Sequence, residues 1–321
     1  MYINGMAMVF PGQGAQKVGM GFDFYNHSKR IAELFRQSDE ILGYSISELC
    51  FKGPDTELTK TVNTQPAIFI NSVAGFMLLR ERGFEPIMTA GHSVGEYCAL
   101  VASGVLDFES ALRLVAYRGT LMQSAGNDTP GTMAAVMGLD YETIKKCCMD
   151  SSSEGIVEIA NFNTPEQIVI SGEIPAVEKA MELLKAKGAK RVLLLNVGAA
   201  FHSRLMTSAA NELAVRLDET IFRKPSIPVA VNYTGELLTD PAKIKAAMKK
   251  QMLGSVLWVD AVKNMVKNGA YLFVEAGPGK ALSGMIKKID LGLKTLNIED
   301  MASLDKATEC LNEESKVLQT A

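Results

Sequence analysis

A serine sits between two glycines in Gly91-His92-Ser93-Val94-Gly95, where the short apolar stretch "EPIMTA" gives way to a helical pattern. Val94, Tyr97, Cys98 and Val101 recur at the i, i+3, i+4, i+7 spacing of one helix face, and Gly104 suits the stop. A G-x-S-x-G at a strand-to-helix turn is the layout of an exposed nucleophile. The glycines have a steric reason: a turn this sharp crowds strand against helix, so side chains two residues either side of the serine would clash. The free N–H groups of the helix start favour any negative charge that develops near Ser93. The plainer alternative is a helix cap, because Glu96 completes Ser-x-x-Glu, a capping box. The paired glycines weigh against it.

A serine nucleophile needs a base, and histidine suits neutral pH. The chain has three. His27 lies in polar "YNHSKR". His92 adjoins the serine, but neighbouring side chains on a strand point to opposite faces. His202 follows the strand-like "VLLLNV" and the small residues "GAA", so elimination selects it. No Asp or Glu lies near it in sequence, which leaves a backbone or amide carbonyl to orient the ring. A second chemical residue is Arg118. The helix from Phe108 has the apolar stripe Ala111, Leu114, Val115, Leu121, Met122 and Ala125, and Arg118 falls inside it, whereas Arg113 falls on the polar face. An inward guanidinium stays charged and needs an anion, either an internal carboxylate or one carried by a substrate.

These residues must be positioned by a chain of 321 residues, long enough for about two domains. With 47% hydrophobic and 21% charged residues and a net charge of −3, it reads as globular, without the basic field of a nucleic-acid binder. No apolar run reads as a membrane span, and "MYINGMAMVF" lacks a signal-peptide layout, so a cytoplasmic protein is expected. Five cysteines without a CxxC pair read as reduced thiols, with Cys98 in the core and Cys147 and Cys148 on a helix.

Short strands alternating with helices predict a layered α/β core with a parallel sheet. "MAMVFPGQGAQ" is a strand and glycine-rich turn that matches neither the dinucleotide fingerprint nor the P-loop. A helix carries Ile31, Leu34 and Phe35, and another begins near Asn63 with Pro66 in its first turn. Residues 130–197 read as β-α-β-β-α-β, a ferredoxin-like unit with a turn near Asn163–Pro165. It is expected as an insertion, with residues 1–129 and 198–321 forming the larger domain. The tail from Glu299 reads as a polar, moderately helical end without a functional role.

With Ser93, His202 and Arg118 in place, the chain resembles the malonyl-CoA:acyl carrier protein transacylases of fatty acid synthesis and the related polyketide acyltransferases. The stretches "VFPGQGAQKVGMG", "TQPAIF", "GHSVGEYCALVASG", "YRGTLMQ", "NFNTPEQIVISG", "AFHSRLM" and "VEAGPGKAL" carry the resemblance over nearly the whole length. It implies a hydrolase-like α/β core with a ferredoxin-like subdomain. Ser93 would be the acylated nucleophile, His202 its base, and Arg118 the clamp for the malonyl carboxylate. Gln13 and Val94 would supply oxyanion-hole N–H groups, and a Gln251 carbonyl would orient the histidine. Met122 and Asn163 would line the pocket. Phe201, the bulky residue before the histidine, goes with malonyl over methylmalonyl in the polyketide relatives.

The implied partners are malonyl-CoA and an acidic acyl carrier protein, with no nucleic acid, membrane, metal or other cofactor, the enzyme acting as a monomer. Lys187, Lys190 and Arg191, or Lys280, Lys287 and Lys288, are candidate docking faces, ordinary solvated surface being the alternative for each. Two relatives of this reading stay open: a discrete acyltransferase serving a polyketide synthase, and an acyl-thioester hydrolase. A non-catalytic carrier-binding scaffold is the reading from outside enzymology, and the Ser93–His202 pair weighs against it.

Overall fold

The computed structural model of the chain describes residues 5–320, with side chains through residue 316. The first four residues, part of the segment read above for a signal peptide, lie outside the described residues. Among the described residues, ten strands form two sheets. β1 (Met6–Phe10), β2 (Met88–Gly91), β7 (Val229–Ala230), β8 (Leu237–Leu238), β9 (Leu272–Ala276) and β10 (Lys294–Ile298) form a six-stranded sheet in the order β10-β9-β1-β2-β7-β8. All its pairings are parallel except β7 with β8. β1 and β9 are fully buried, as central strands covered by helices on both faces must be.

β3 (Gly131–Met137), β4 (Val157–Thr164), β5 (Gln167–Glu173) and β6 (Arg191–Leu194) form an antiparallel sheet in the order β4-β5-β3-β6. Helices Tyr141–Asp150 and Ile174–Ala186 cover it through a separate apolar cluster that includes Ile144, Cys147, Ile170, Val177 and Leu184. This is the ferredoxin-like arrangement beside a hydrolase-like α/β core. The β4–β5 turn is Pro165–Glu166, which leaves Asn163 inside β4.

The helix of "NTQPAIFINSVAGF" runs Thr61–Glu81, so it starts two residues before Asn63 and carries Pro66 in its second turn, not its first. Proline there forfeits one backbone donor, and burial of nearly every residue from Thr64 to Leu79 outweighs that cost. The helix is also long and apolar enough to cross a membrane, which the reading of apolar runs did not anticipate. It is instead 83% buried over its most apolar window, packed between the sheet and the helix Phe108–Asp128. The C-terminal helix Met301–Thr320 is likewise more than a polar end: Leu304, Ala307 and Leu311 are buried in the main core.

The parallel sheet brings four connections together. The glycine turn after β1, the serine turn after β2, the loop after β7 and the Gly-Pro-Gly turn after β9 all follow the carboxyl ends of neighbouring strands, where open α/β sheets carry their sites. The serine turn itself depends on close packing. A Cβ on Gly91 would lie 2.0 Å from the Gly95 carbonyl, and one on Gly95 would lie 2.2 Å from the Phe10 carbonyl oxygen. These are backbone atoms of a buried helix start and a buried strand and cannot yield. Gly95→Ala is therefore expected to lower unfolding free energy by about 3 kcal/mol, read as the shift of a denaturant midpoint. A midpoint equal to that of the parent protein would show that the turn has slack.

Candidate active site

Ser93 adopts φ 52°, the left-handed region, immediately after β2. That turn throws its Oγ toward His202, whose Nε2 lies 2.8 Å away. The serine does not cap the following helix, Gly95–Ala102: Val94 occupies the cap position and no side chain bonds there. The capping-box alternative is corrected accordingly. Glu96 turns inward, is fully buried, and accepts from the Asn232 N–H at 3.1 Å and from Gln251 Nε2 at 2.9 Å.

His202 also has a positive φ, 57°. It does not end a strand of the main sheet: it lies beyond residues 195–201, the connection that leaves β6 of the small sheet. Its Nδ1 faces two carbonyl oxygens, Gln251 at 2.9 Å and Gly254 at 3.2 Å. Two acceptors on that side place the ring hydrogen on Nδ1 and leave Nε2 with a lone pair for the Ser93 hydroxyl. The orienting carbonyl of Gln251 is thus its main-chain one. Burial, then the nearby Arg118 guanidinium, pushes the imidazole down to about 3, so it is neutral at pH 7.

Arg118 is 1% exposed, the inward position read from the helix stripe. Its Nη1 donates to Gln65 Oε1 at 2.6 Å, and its Nη2 to Gln251 Oε1 and Ser93 Oγ, both at 3.1 Å. No internal carboxylate pairs with it among the described residues, and its Nε has no hydrogen-bond partner. Arg113, on the opposite face, is exposed and pairs with Glu109.

These groups open on a cavity of about 300 Å³ between the two sheets. Gln13, Val94, Met122, Asn163 and Phe201 all line it. Gln13 Nε2 donates to Thr61 Oγ1, which leaves its backbone at the cavity edge. Asn163 Oδ1 accepts from His92 Nε2 at 2.9 Å, linking the small sheet to the serine turn; His92, set aside above as a base, has that role in the site. Loss of water around its ring lowers the His92 pKa. Among the described residues, no group of three or more His, Cys, Asp or Glu side chains is arranged to hold a metal ion. Of the candidate docking residues, Lys187 at the end of the helix Ile174–Ala186, Lys190 just before β6 and Arg191 in it are exposed, and Lys190 pairs with Glu166 at 3.6 Å. Lys280 and Lys288 are exposed on the flanks of the helix Ala281–Ile289, whose Leu282 and Met285 line the cavity.

Sequence reasoning missed Asn232 and Gln65. Asn232 Oδ1 accepts from the Ser93 N–H at 2.7 Å, and its Nδ2 donates to the Gly91 carbonyl at 2.6 Å, so one side chain grips both sides of the strained turn. The available signal was a polar residue directly after a strand, in "VAVNYTG". Gln65 lay in the quoted "TQPAIF" but had no assigned contact.

Residues 7–306 match the acyl transferase domain family. The malonyl CoA-acyl carrier protein transacylase of Bacillus subtilis is 40% identical over 311 residues, 97% of this chain and 98% of that protein. The enzyme of the same name from Escherichia coli K12 is 41% identical, covering 94% and 98%. A solved malonyl CoA-acyl carrier protein transacylase from Clostridium perfringens superposes with a TM-score of 0.93 at 40% identity, covering 98% of this chain and 99% of that one. A type II PKS acyl-carrier protein in complex with its malonyl-transacylase gives a TM-score of 0.92 at 41% identity, covering 95% and 99%.

The left-handed turn at Ser93 predicts a stability difference between two inactive variants. Ser93→Ala and Ser93→Gly both lose the hydroxyl, but only alanine keeps the Cβ that is strained at φ 52°. Strain of about 1–3 kcal/mol, less about 0.4–1 kcal/mol for the added freedom of the unfolded glycine chain, leaves Ser93→Gly the more stable by about 1 kcal/mol. Denaturant titration of the pair measures this; a less stable glycine variant would mean the turn carries no strain.

Proposed function

The chain belongs to the acyl transferase domain family, and on that premise we propose that it transfers a malonyl group from malonyl-CoA to the phosphopantetheine thiol of acyl carrier protein through a malonyl-serine. The observation that carries this reading is the buried Arg118 guanidinium, 3.1 Å from the nucleophile and held by neutral acceptors alone. A cation in that setting accommodates a carboxylate on the acyl group being transferred.

In the first half-reaction His202 Nε2 takes the Ser93 proton as Oγ attacks the thioester carbonyl, and the imidazolium returns it to the departing coenzyme A thiolate. The Gln13 and Val94 N–H groups receive the developing oxyanion. In the second half, the carrier thiol gives its proton to His202 and attacks the acyl-serine; the bond to Ser93 Oγ breaks, and the imidazolium returns the proton to the departing serine oxygen. Arg118 also acts on the base. Its charge depresses the His202 pKa, so a malonyl carboxylate that neutralises it raises the basicity of the imidazole when the right substrate is present. Met122 and Phe201 shape the pocket, and the scheme draws on no metal or redox cofactor. The carrier that accepts malonyl fastest, of fatty acid or polyketide type, decides the pathway.

Intact mass tests the chemistry. Malonyl-CoA is expected to add one malonyl mass to the parent protein and none to Ser93→Ala, and a holo carrier protein is expected to remove it. Water alone releasing the adduct as fast would make the protein a thioester hydrolase.

Arg118→Ala is expected to reduce kcat/KM for malonyl-CoA roughly 30- to 1,000-fold, the loss of about 2–4 kcal/mol of charge-assisted bonding in a shielded pocket. Acetyl-CoA, which lacks the carboxylate, is expected to react about as before. Equal losses for both donors, with a lowered unfolding temperature, would make Arg118 a structural residue.

A further inference from the structure

Glu96 is buried behind the nucleophile: its main-chain N–H donates to the Ser93 carbonyl at 3.1 Å, while its carboxylate bonds neither Ser93 nor His202. Both groups that face its oxygens are donors: the Asn232 N–H and the Gln251 amide. Gln251 in turn reaches the nucleophile, the base and the cation. Its Nε2 also donates to the Ser93 carbonyl at 2.8 Å, its Oε1 accepts from Arg118 Nη2, and its main-chain carbonyl accepts from His202. All these partners agree on one orientation of the amide, with nitrogen toward Glu96 and oxygen toward Arg118. We propose that Glu96 is a positioning residue that fixes this orientation, and through it holds the Arg118 guanidinium ready for an acyl carboxylate while the Asn232 bond holds the serine turn.

The argument is one of donor and acceptor counting. A carboxylate is an acceptor on both oxygens, so it satisfies both facing donors. A glutamine of the same shape offers one oxygen and one NH2. If its oxygen serves Asn232, its NH2 meets the NH2 of Gln251, and Gln251 must either lose that bond or flip. A flip turns an NH2 toward Arg118 Nη2, donor against donor, inside a buried site. The cost falls on the guanidinium, hence on donors that carry a carboxylate. This inference rests on the malonyl reading above, and the controls separate the two.

The test compares kcat/KM for malonyl-CoA and acetyl-CoA in Glu96→Gln, Gln251→Met and the double variant. Glu96→Gln is expected to lower the malonyl-to-acetyl ratio about tenfold, the effect of one unsatisfied buried donor. The double variant is expected to match Gln251→Met, because without the amide Glu96 has nothing to orient. Independent losses that multiply in the double variant would overturn the proposal, as would an unchanged ratio in Glu96→Gln. Should that variant fail to fold, the parent protein supplies the same readout. Burial pushes the Glu96 carboxyl up to about 7, against the hydrogen bonds of Gln251 and Asn232 and the charge of Arg118 on the facing helix; Tyr97 on its own helix is neutral in this range. Protonation turns one of its acceptors into a donor, as the glutamine does. The parent ratio is therefore expected to fall as pH drops from 8.5 to 5.5, whereas titration of steps common to both donors cancels. A constant ratio overturns the role of Glu96. A parent protein that prefers acetyl-CoA at every pH fails the malonyl reading instead.

Discussion

A guanidinium kept in the dry interior without a carboxylate against it is the condition around which this site is organised. Desolvating Arg118 is expensive, and a direct ion pair would be the ordinary remedy. The fold uses amide and hydroxyl oxygens from Gln65, Gln251 and Ser93 instead. Neutral acceptors solvate the cation and leave its charge available. The nearest buried carboxylate, Glu96, contributes its field from behind Gln251 without occupying the guanidinium fork. A contact between Glu96 and Arg118 would satisfy both charges and leave nothing for a substrate.

Backbone strain is concentrated in the same place. Ser93 and His202 are the two non-glycine residues with positive φ among those described. Each comes from a different layer: Ser93 lies in the turn that follows a parallel strand of the large sheet, and His202 ends the connection from the small one. The left-handed turns aim Oγ and Nε2 at each other across 2.8 Å. Such conformations persist only where the surroundings over-determine them. Around Ser93 that support is the Asn232 grip on its N–H and on the Gly91 carbonyl, and the contact of Gly95 with the Phe10 carbonyl.

What could be read from the sequence follows from the range over which each feature is written. The inward face of Arg118, the serine turn and the β-α-β-β-α-β order are encoded in local periods and short spacings, so they were legible. The partners of Arg118 are not local. Gln65, Gln251 and Ser93 lie 53, 133 and 25 residues away, and only the packing of helices on the sheet brings them together. Asn232 reaches Ser93 because β7 lies beside β2, and the one signal in "VAVNYTG", an asparagine following a strand, is one that an ordinary turn shares. Glu96 misled for the opposite reason. Its local spacing imitates a capping box, but the turn sends the serine hydroxyl to His202, and the glutamate is free to face inward. Pro66 misled as a helix start because burial of the helix it sits in outweighs one missing donor.

The two layers divide the work in a way that bears on substrate choice. The large sheet, with the helices packed on it, supplies Ser93, Arg118, Asn232 and Gln251, joined in one hydrogen-bonded chain. The small sheet and its exit loop supply Asn163 and the Phe201 wall next to the base. Between them run the bond from His92 to Asn163 and the backbone pairing of β4 with residues near Val256, where Phe162 N donates to the Val256 carbonyl and Val256 N to the Ala160 carbonyl. The loop that supplies those residues also carries Gly254, the second acceptor for His202. A change in how the small sheet sits therefore moves the pocket wall and the orientation of the base together, and reaches the nucleophile only through the bond between His92 and Asn163. Residues that choose among acyl groups can vary on the small sheet without disturbing the serine turn, but only where they leave the Asn163 bond to His92, this β4 seam and the histidine it supports in register.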